Sequence, residues 1–344
     1  MAVESGHLNL QQSSVSVLSR RIFMTRILRQ DLREAASSLL ELIFYGDEEA
    51  VCSYTETPEE DDVSLFIDEK SLEAYFPEAL STSGQSYRAV RVYEGAEALN
   101  MCGYINLLSA SLTRQGIEVV YLSTFNTDLL LVADEFLGQA YAHVSASLRS
   151  IAVLRPRSPA IPGISEGPAS SGGSEQLLLA ATAAAAAGER QGADLSLSRI
   201  SSRLRLVSLA REALPQAAFH LLRVFLRNQE SRFFSYTCVR GEITMVLEQE
   251  DLASLWALSL SAPPALGPLL TVHQTVWSSL QLNAGASGVG KNTVSHVSKV
   301  LAENLIDIFY LSTFNFDFIF TPTSKTDHAI KALLDSDSTI IYQD

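Results

Sequence analysis

The sequence predicts an α+β protein of four tandem ferredoxin-like units in two duplicated halves, and three observations carry that prediction. The phrase YLSTFN, Tyr121 to Asn126, returns as Tyr310 to Asn315, each time with an Asp two places on, Asp128 and Asp317. A shorter phrase, Ser53-Tyr54-Thr55, returns as Ser235-Tyr236-Thr237. In the same register Ala36, Leu39, Leu40 and Ile43 land on Ala218, Leu221, Leu222 and Phe225, one apolar helical face in each copy. Between the copies, from Arg155 to Ala193, Pro, Gly, Ser and an Ala tract dominate, with little to bury against the entropy of ordering.

Each unit then reads as strand, helix, two strands, helix, strand. In unit one, Ser14–Leu18 is the first strand. A helix follows near Asp31–Tyr45, stopped by Gly46, then strands Val51–Thr55 and Val63–Ile67 and a helix over Glu69–Phe76. Unit two takes Tyr87–Tyr93, a helix Cys102–Gln115 ended by Gly116, strands Ile117–Ser123 and Thr127–Val132, and a helix Glu135–Leu148. Unit three repeats the order with Leu204–Leu209, Pro215–Arg227, Phe233–Cys238, Glu242–Leu247 and Glu248–Trp256. Unit four closes with Thr271–Leu282, Asn292–Asn304, Ile306–Ser312, Phe316–Phe320, Lys325–Leu334 and Thr339–Tyr342. The β-α-β-β-α-β order implies an antiparallel sheet with helices on one face. The expected boundaries are 10–78, 85–154, 198–264 and 268–344, with a disordered linker over 155–197.

Bulk composition bounds the function. Of 344 residues, 47% are hydrophobic and 19% charged, ample for packed cores. A formal net charge of −14 argues against nucleic acid or an anionic membrane as partner and suits a cationic ligand or a basic protein. Cys52, Cys102 and Cys238 have no CxxC spacing, so neither a disulfide framework nor a zinc site is indicated, and they read as small core residues. The N-terminus lacks a basic-then-apolar layout, and the longest apolar run, Leu177 to Ala187, is too short to span a bilayer. These features predict a cytoplasmic protein without a membrane span.

Tandem units of this order resemble ACT domains, regulatory modules that bind amino acids at their interfaces. Tyr54-Thr55-Glu56-Thr57-Pro58-Glu59, then Leu65-Phe66-Ile67-Asp68-Glu69, then the two copies of LSTFN-x-D, resemble the CASTOR family of cytosolic arginine sensors. That resemblance covers most of the chain outside the linker and implies a free amino acid, arginine or another, bound between units two and four. It implies that Asp317 is the ligand-contacting acid, that Thr313 and Phe314 supply backbone and ring contacts, and that Glu118 and Val119 form the strand edge closing the pocket. The loop Asn283–Gly290 leads into the unit-four helix. Gly288 and Gly290 allow close backbone approach there, and Thr293 and Val294 open the helix, whose free N–H groups suit an α-carboxylate. Phe125, Asn126 and Asp128 match the surface by which the family docks on the GATOR complex of the TOR pathway. A homodimer and the absence of any cofactor are further implications.

Two departures from the family stand out. Its unit-four loop carries an acid, whereas here Lys291 stands and no Asp or Glu occurs from Asn283 to Asn304 except Glu303. Tyr and Gln of the docking surface are replaced by Phe125 and Asn126. The same loop also supports a rival reading, because Gly285 to Lys291 matches GxxxxGK between a strand and a helix. Against nucleotide binding, Asn292 replaces the Mg²⁺-directed Ser or Thr, and too little chain follows for a parallel sheet with a Walker B strand. His7, His143, His220, His273, His296 and His328 are scattered, no GxSxG elbow occurs, and Glu59 to Asp62 reads as a solvated turn. No residues are left over for a catalytic domain, so the expectation is a binder and not an enzyme.

Overall fold

The computed structural model describes residues 14–58, 60–76, 81–93, 101–154, 195–227, 232–253, 255, 270–283 and 293–343. Unit one is β2 (Ile22–Leu28), α1 (Leu32–Tyr45), β3 (Val51–Glu56), β4 (Asp62–Asp68), α2 (Glu69–Tyr75) and the start of β5 (Ser81–Tyr93). Its strands pair antiparallel in the order β5-β2-β4-β3, which is the ferredoxin-like order. Helix α1 presents Leu39, Leu42 and Ile43 to this sheet and ends at Gly46. Asp68 closes β4 and caps α2, accepting from the Ser71 N–H at 3.2 Å and the Val51 N–H at 2.9 Å.

The strand β1 (Ser14–Val17) corrects the reading of unit one. It pairs with Tyr93 to Val90 of β5 and so completes unit two, while Ile22–Leu28 is the first strand of unit one. An alternating SVSV segment declares a strand but not the sheet it joins. Unit two runs from the second part of β5 through α3 (Met101–Thr113), β6 (Val120–Ser123), β7 (Thr127–Ala133) and α4 (Leu137–Leu154). Its order is β1-β5-β7-β6.

The second half repeats this borrowing with one long strand. The latter part of β8 (Leu195–Ala210) opens unit three, followed by α5 (Leu214–Phe225), β9 (Phe234–Val239), β10 (Glu242–Glu248) and the start of β11 (Leu270–Asn283). The first part of β8 instead lies beside β11 in unit four, pairing Leu197 with Leu282. Unit four adds α6 (Thr293–Glu303), β12 (Phe309–Ser312), β13 (Asp317–Pro322), α7 (Thr326–Ser336) and β14 (Ile340–Gln343), the last parallel to β8. Of the segment expected as a linker, 155–194 lies outside the described residues, and 195–197 belongs to β8.

Units one and three join edge to edge through β3 and β9, and units two and four through β6 and β12. The two resulting sheets lie face to face. Leu122, Leu129, Leu131, Phe309, Leu311, Phe318 and Phe320 of one layer pack with Phe66, Leu204, Leu206, Phe233 and Val246 of the other. Each outer face carries its own helices. Tyr121, Leu130, Tyr310 and Ile319 meet α3, α4, α6 and α7, while Tyr54, Leu65, Tyr236 and Met245 meet α1 and α5. The architecture is therefore helix, sheet, sheet, helix, which buries both faces of every central strand.

Candidate functional site

The doubled phrases pair with each other. Ser53, Tyr54 and Thr55 lie opposite Thr237, Tyr236 and Ser235. Hydroxyls bridge the strands, Ser53 to Thr237 at 2.7 Å and Thr55 to Ser235 at 3.0 Å. This seam is zipped over the whole of β3, from Val51 opposite Val239 to Glu56 opposite Phe234.

The seam between units two and four is built from the longer phrase and is held differently. Leu311 opposite Leu122 is the register pair joining β12 to β6. On either side the backbone turns to side chains: Tyr121 N–H donates to Ser312 Oγ at 3.1 Å, and Tyr310 N–H to Ser123 Oγ at 3.3 Å. The Tyr121 and Tyr310 rings meet edge to face at 6.0 Å beneath the helices, and there α3 packs on α6. A strand pair loosened in this way leaves backbone groups for something else to bond.

Asp317 stands at this seam. It opens β13, pairs with Ser312 on one side and with Leu282 on the other, and is 2% exposed. Leu282 is next to the end of β11, so Asp317 lies at the strand end from which the loop to α6 departs. Burial raises its carboxyl from 3.8 to about 6, against the pull of the Ser312 and Tyr310 hydroxyls. Oδ1 has no hydrogen-bond partner among the described residues. Among the described residues none forms an ion pair with it. Asp128 holds the matching place in unit two, opposite Ser123 and Val92, and is 1% exposed.

The remaining expected residues divide. Thr293 and Val294 are buried at the start of α6, and Val119 is buried at the entry to β6 with Glu118 exposed beside it. Gly288 and Gly290 lie outside the described residues, as does the GxxxxGK segment through Lys291. That segment follows a strand paired antiparallel with both β13 and β8, not the parallel sheet its nucleotide reading requires.

Thr313 and Phe314 are engaged within the protein. Thr313 N–H donates to the Phe316 carbonyl at 2.7 Å and closes the hairpin turn. Phe314 N–H crosses to unit one and donates to Ser64 Oγ at 2.9 Å, with the Arg26 guanidinium over its ring. Asn315 Nδ2 donates to Glu60 Oε1 at 3.0 Å and to Asp62 Oδ1 at 3.3 Å. The first copy makes the mirror contact on unit three: Phe125 N–H to Thr244 Oγ1 at 2.9 Å and Asn126 N–H to Glu242 Oε1 at 3.0 Å. Of the three residues expected at a docking surface, Asn126 keeps an exposed side chain, Phe125 is half-buried, and Asp128 is enclosed. An enclosed carboxylate cannot itself touch a partner.

Sequence reasoning missed Ser64, Thr244, Asp62 and Glu242, which receive the two turns. Their spacing was a usable signal, because each lies on the strand after a repeated SYT. It also missed Ser123 and Ser312 as seam acceptors, although both stand inside the repeated phrase.

Residues 274–335, from β11 into α7, match the ACT domain family. At 23% identity over 92% of this chain and 95% of its own length, the Rattus norvegicus protein named cytosolic arginine sensor for mTORC1 subunit 1 is similar to this chain. The crystal structure of aspartate kinase from Synechocystis is similar at 11% identity and a TM-score of 0.34, over 96% of this chain and 56% of the kinase. A Vibrio cholerae protein of unknown function is similar at 13% identity and a TM-score of 0.29, over 40% of this chain and 92% of that one. The strand orders above describe four ferredoxin-like units, and the fourth is the one that matches the ACT domain family.

Proposed function

We propose that this protein is a non-enzymatic amino-acid sensor that takes an arginine-like ligand into the seam between units two and four. The observation that carries the reading is the pairing of a loosened seam with a buried, uncompensated acid. β6 and β12 join at Leu122 and Leu311, and Asp317 beside them is enclosed with no cation among the described residues. A ligand bringing its own cation would supply the missing charge, and its backbone groups would meet the strand edges on each side. The rat relative named as a cytosolic arginine sensor for mTORC1 is in accord, and the same relation supports a cytosolic site of action.

The output is a ligand-dependent protein interaction with a GATOR-type complex of the TOR pathway. The Phe125–Asn126 turn is its outer element, and a homodimer is the assembly. Isothermal titration of arginine into the wild-type protein and Asp317→Asn tests the ligand half. Removing one member of a buried charge pair costs about 2–5 kcal/mol, so affinity should fall roughly 30-fold or more. An unaltered affinity in a folded Asp317→Asn protein would sink the site.

A further inference from the structure

The seam between units one and three holds an arginine already, and it is one of the chain's own. Arg232 precedes β9 and is 1% exposed. Its Nε and Nη2 donate to Glu56 Oε2 at 2.9 and 2.8 Å, and Nη1 donates to the Val224 carbonyl in the last turn of α5. The guanidinium lies 5.2 Å from the centroid of the Phe234 ring. Glu56, 4% exposed, also accepts from the Tyr54 hydroxyl. Carboxylate, aromatic face and helix-end carbonyl are together what a free guanidinium would need for recognition.

The position matters as much as the chemistry. In each unit one cross-strand pair faces the helices just before the hairpin turn. It is Glu56 with Val63 in unit one, Ser123 with Asp128 in unit two, Cys238 with Ile243 in unit three, and Ser312 with Asp317 in unit four. An acid therefore stands in this pair in units one, two and four, on the strand before the turn as Glu56 and on the strand after it as Asp128 and Asp317. In units one and three it is Glu56, met by Arg232, whose Nη1 also has the buried Asp251 Oδ2 at 3.8 Å. In unit four no cation among the described residues meets Asp317.

We propose that Arg232 is a tethered occupant of the seam between units one and three: its guanidinium fills a ligand's place there and keeps that seam closed whatever the solution contains. The open seam between units two and four takes the same chemistry, a side-chain cation, from a free molecule, and this second half rests on the function proposed above. A buried ion pair can be purely structural, and replacing such a pair is often neutral. The proposal differs in requiring a guanidinium-shaped site that survives removal of the tether.

Arg232→Ala opens that site, and methylguanidine is the probe, with uncharged N-methylurea as the isosteric control. Melting temperature should drop in Arg232→Ala and recover by at least half of the loss, saturably, with methylguanidine and not with N-methylurea. Adding Glu56→Gln should abolish the recovery. A folded Arg232→Ala protein that ignores methylguanidine, or responds equally to N-methylurea, overturns the proposal. If Arg232→Ala does not accumulate folded, Arg232→Met keeps the packing and removes the charge. Amide exchange at Thr55 and Ser235 should then quicken tenfold or more, and an unchanged pattern overturns the tether. Rescue without any wild-type response to free amino acids would instead overturn only the reading of the seam between units two and four.

Discussion

The Phe314 N–H reaches Ser64 Oγ at 2.9 Å across 250 positions of sequence, tying the tip of a unit-four hairpin to the middle of a unit-one strand. With the Phe125–Thr244 bond it makes a crossed pair of ties, each from one half's second unit to the other half's first. Both ties start within three residues of a seam aspartate, Asp317 or Asp128.

The two ties differ in their chemistry, and this is measurable. Asn315 bonds Glu60 and Asp62 through its side chain, whereas Asn126 bonds Glu242 through its backbone. Glu60 is already held above the usual carboxylate range, chiefly by burial, and the Asn315 donor opposes this. Asn315→Ala should cost about 1–3 kcal/mol in urea unfolding. Asn126→Ala should stay within roughly 0.5 kcal/mol, as an exposed side chain would. Equal effects would show that the side-chain bonds are not what seats the turn.

Stability should respond to pH through Asp317. Its folded value of about 6 lies above the ordinary 3.8, so the fold favours the protonated carboxyl. That contribution is complete below about pH 4 and is lost as pH rises through 6. Ligand-free wild type should therefore lose on the order of 2–3 kcal/mol relative to Asp317→Asn between pH 4 and pH 7.5. Parallel unfolding curves for the two proteins would remove the basis for a strained acid. A cationic ligand reverses the preference, so arginine should bind more weakly as pH falls below 6 and should release a proton on binding.

Ser312→Ala and Ser123→Ala remove the acceptors of the Tyr121 and Tyr310 amides at a buried seam. Each should cost about 1–3 kcal/mol, since an enclosed N–H is left without its partner. Ser53→Ala should cost less, because the β3–β9 ladder keeps its backbone bonds. Chemical denaturation of the three variants gives the ranking, and a larger loss for Ser53→Ala would contradict the difference between the seams.

The repeat also exposes a strained position. Gly116 ends α3 with φ +69° and lets the Ile117 N–H reach the Leu112 carbonyl. Leu305 holds the same place after α6 with φ 53° and the same bond from Ile306 to Leu301. A leucine there costs about 1 kcal/mol. Leu305→Gly should raise stability by roughly 0.5 kcal/mol after the entropy of an added glycine. Gly116→Leu should lower it, and both are readable as shifts in melting temperature.

Most of the fold was legible because each unit announces itself locally. α1 carries an apolar face and stops at Gly46, and the YLST strand leads into an Asn turn, so periodicity and turn chemistry agreed. What the sequence could not carry was membership. Ser14–Val17 pairs 73 or more positions away, as Val17 does with Val90, and nothing in four alternating residues names that partner. The candidate site divides in the same way. Asp317 stood out because it was repeated, whereas Arg232 and Glu56, 176 positions apart, meet only once β3 lies against β9.

The self-pairing of the two phrases has an evolutionary consequence. A segment that bonds its own copy across an axis is what a twofold homodimer presents at its contact, and here both subunits are carried on one chain. A true homodimer must place identical groups on both sides of its axis. The fused chain need not, and at the β3–β9 contact it has put Glu56 against Arg232 at one end and two cysteines, Cys52 and Cys238, face to face nearer the other. Fusion thus freed the two sides of each contact from the identity that symmetry imposes, so that its two ends could diverge in chemistry.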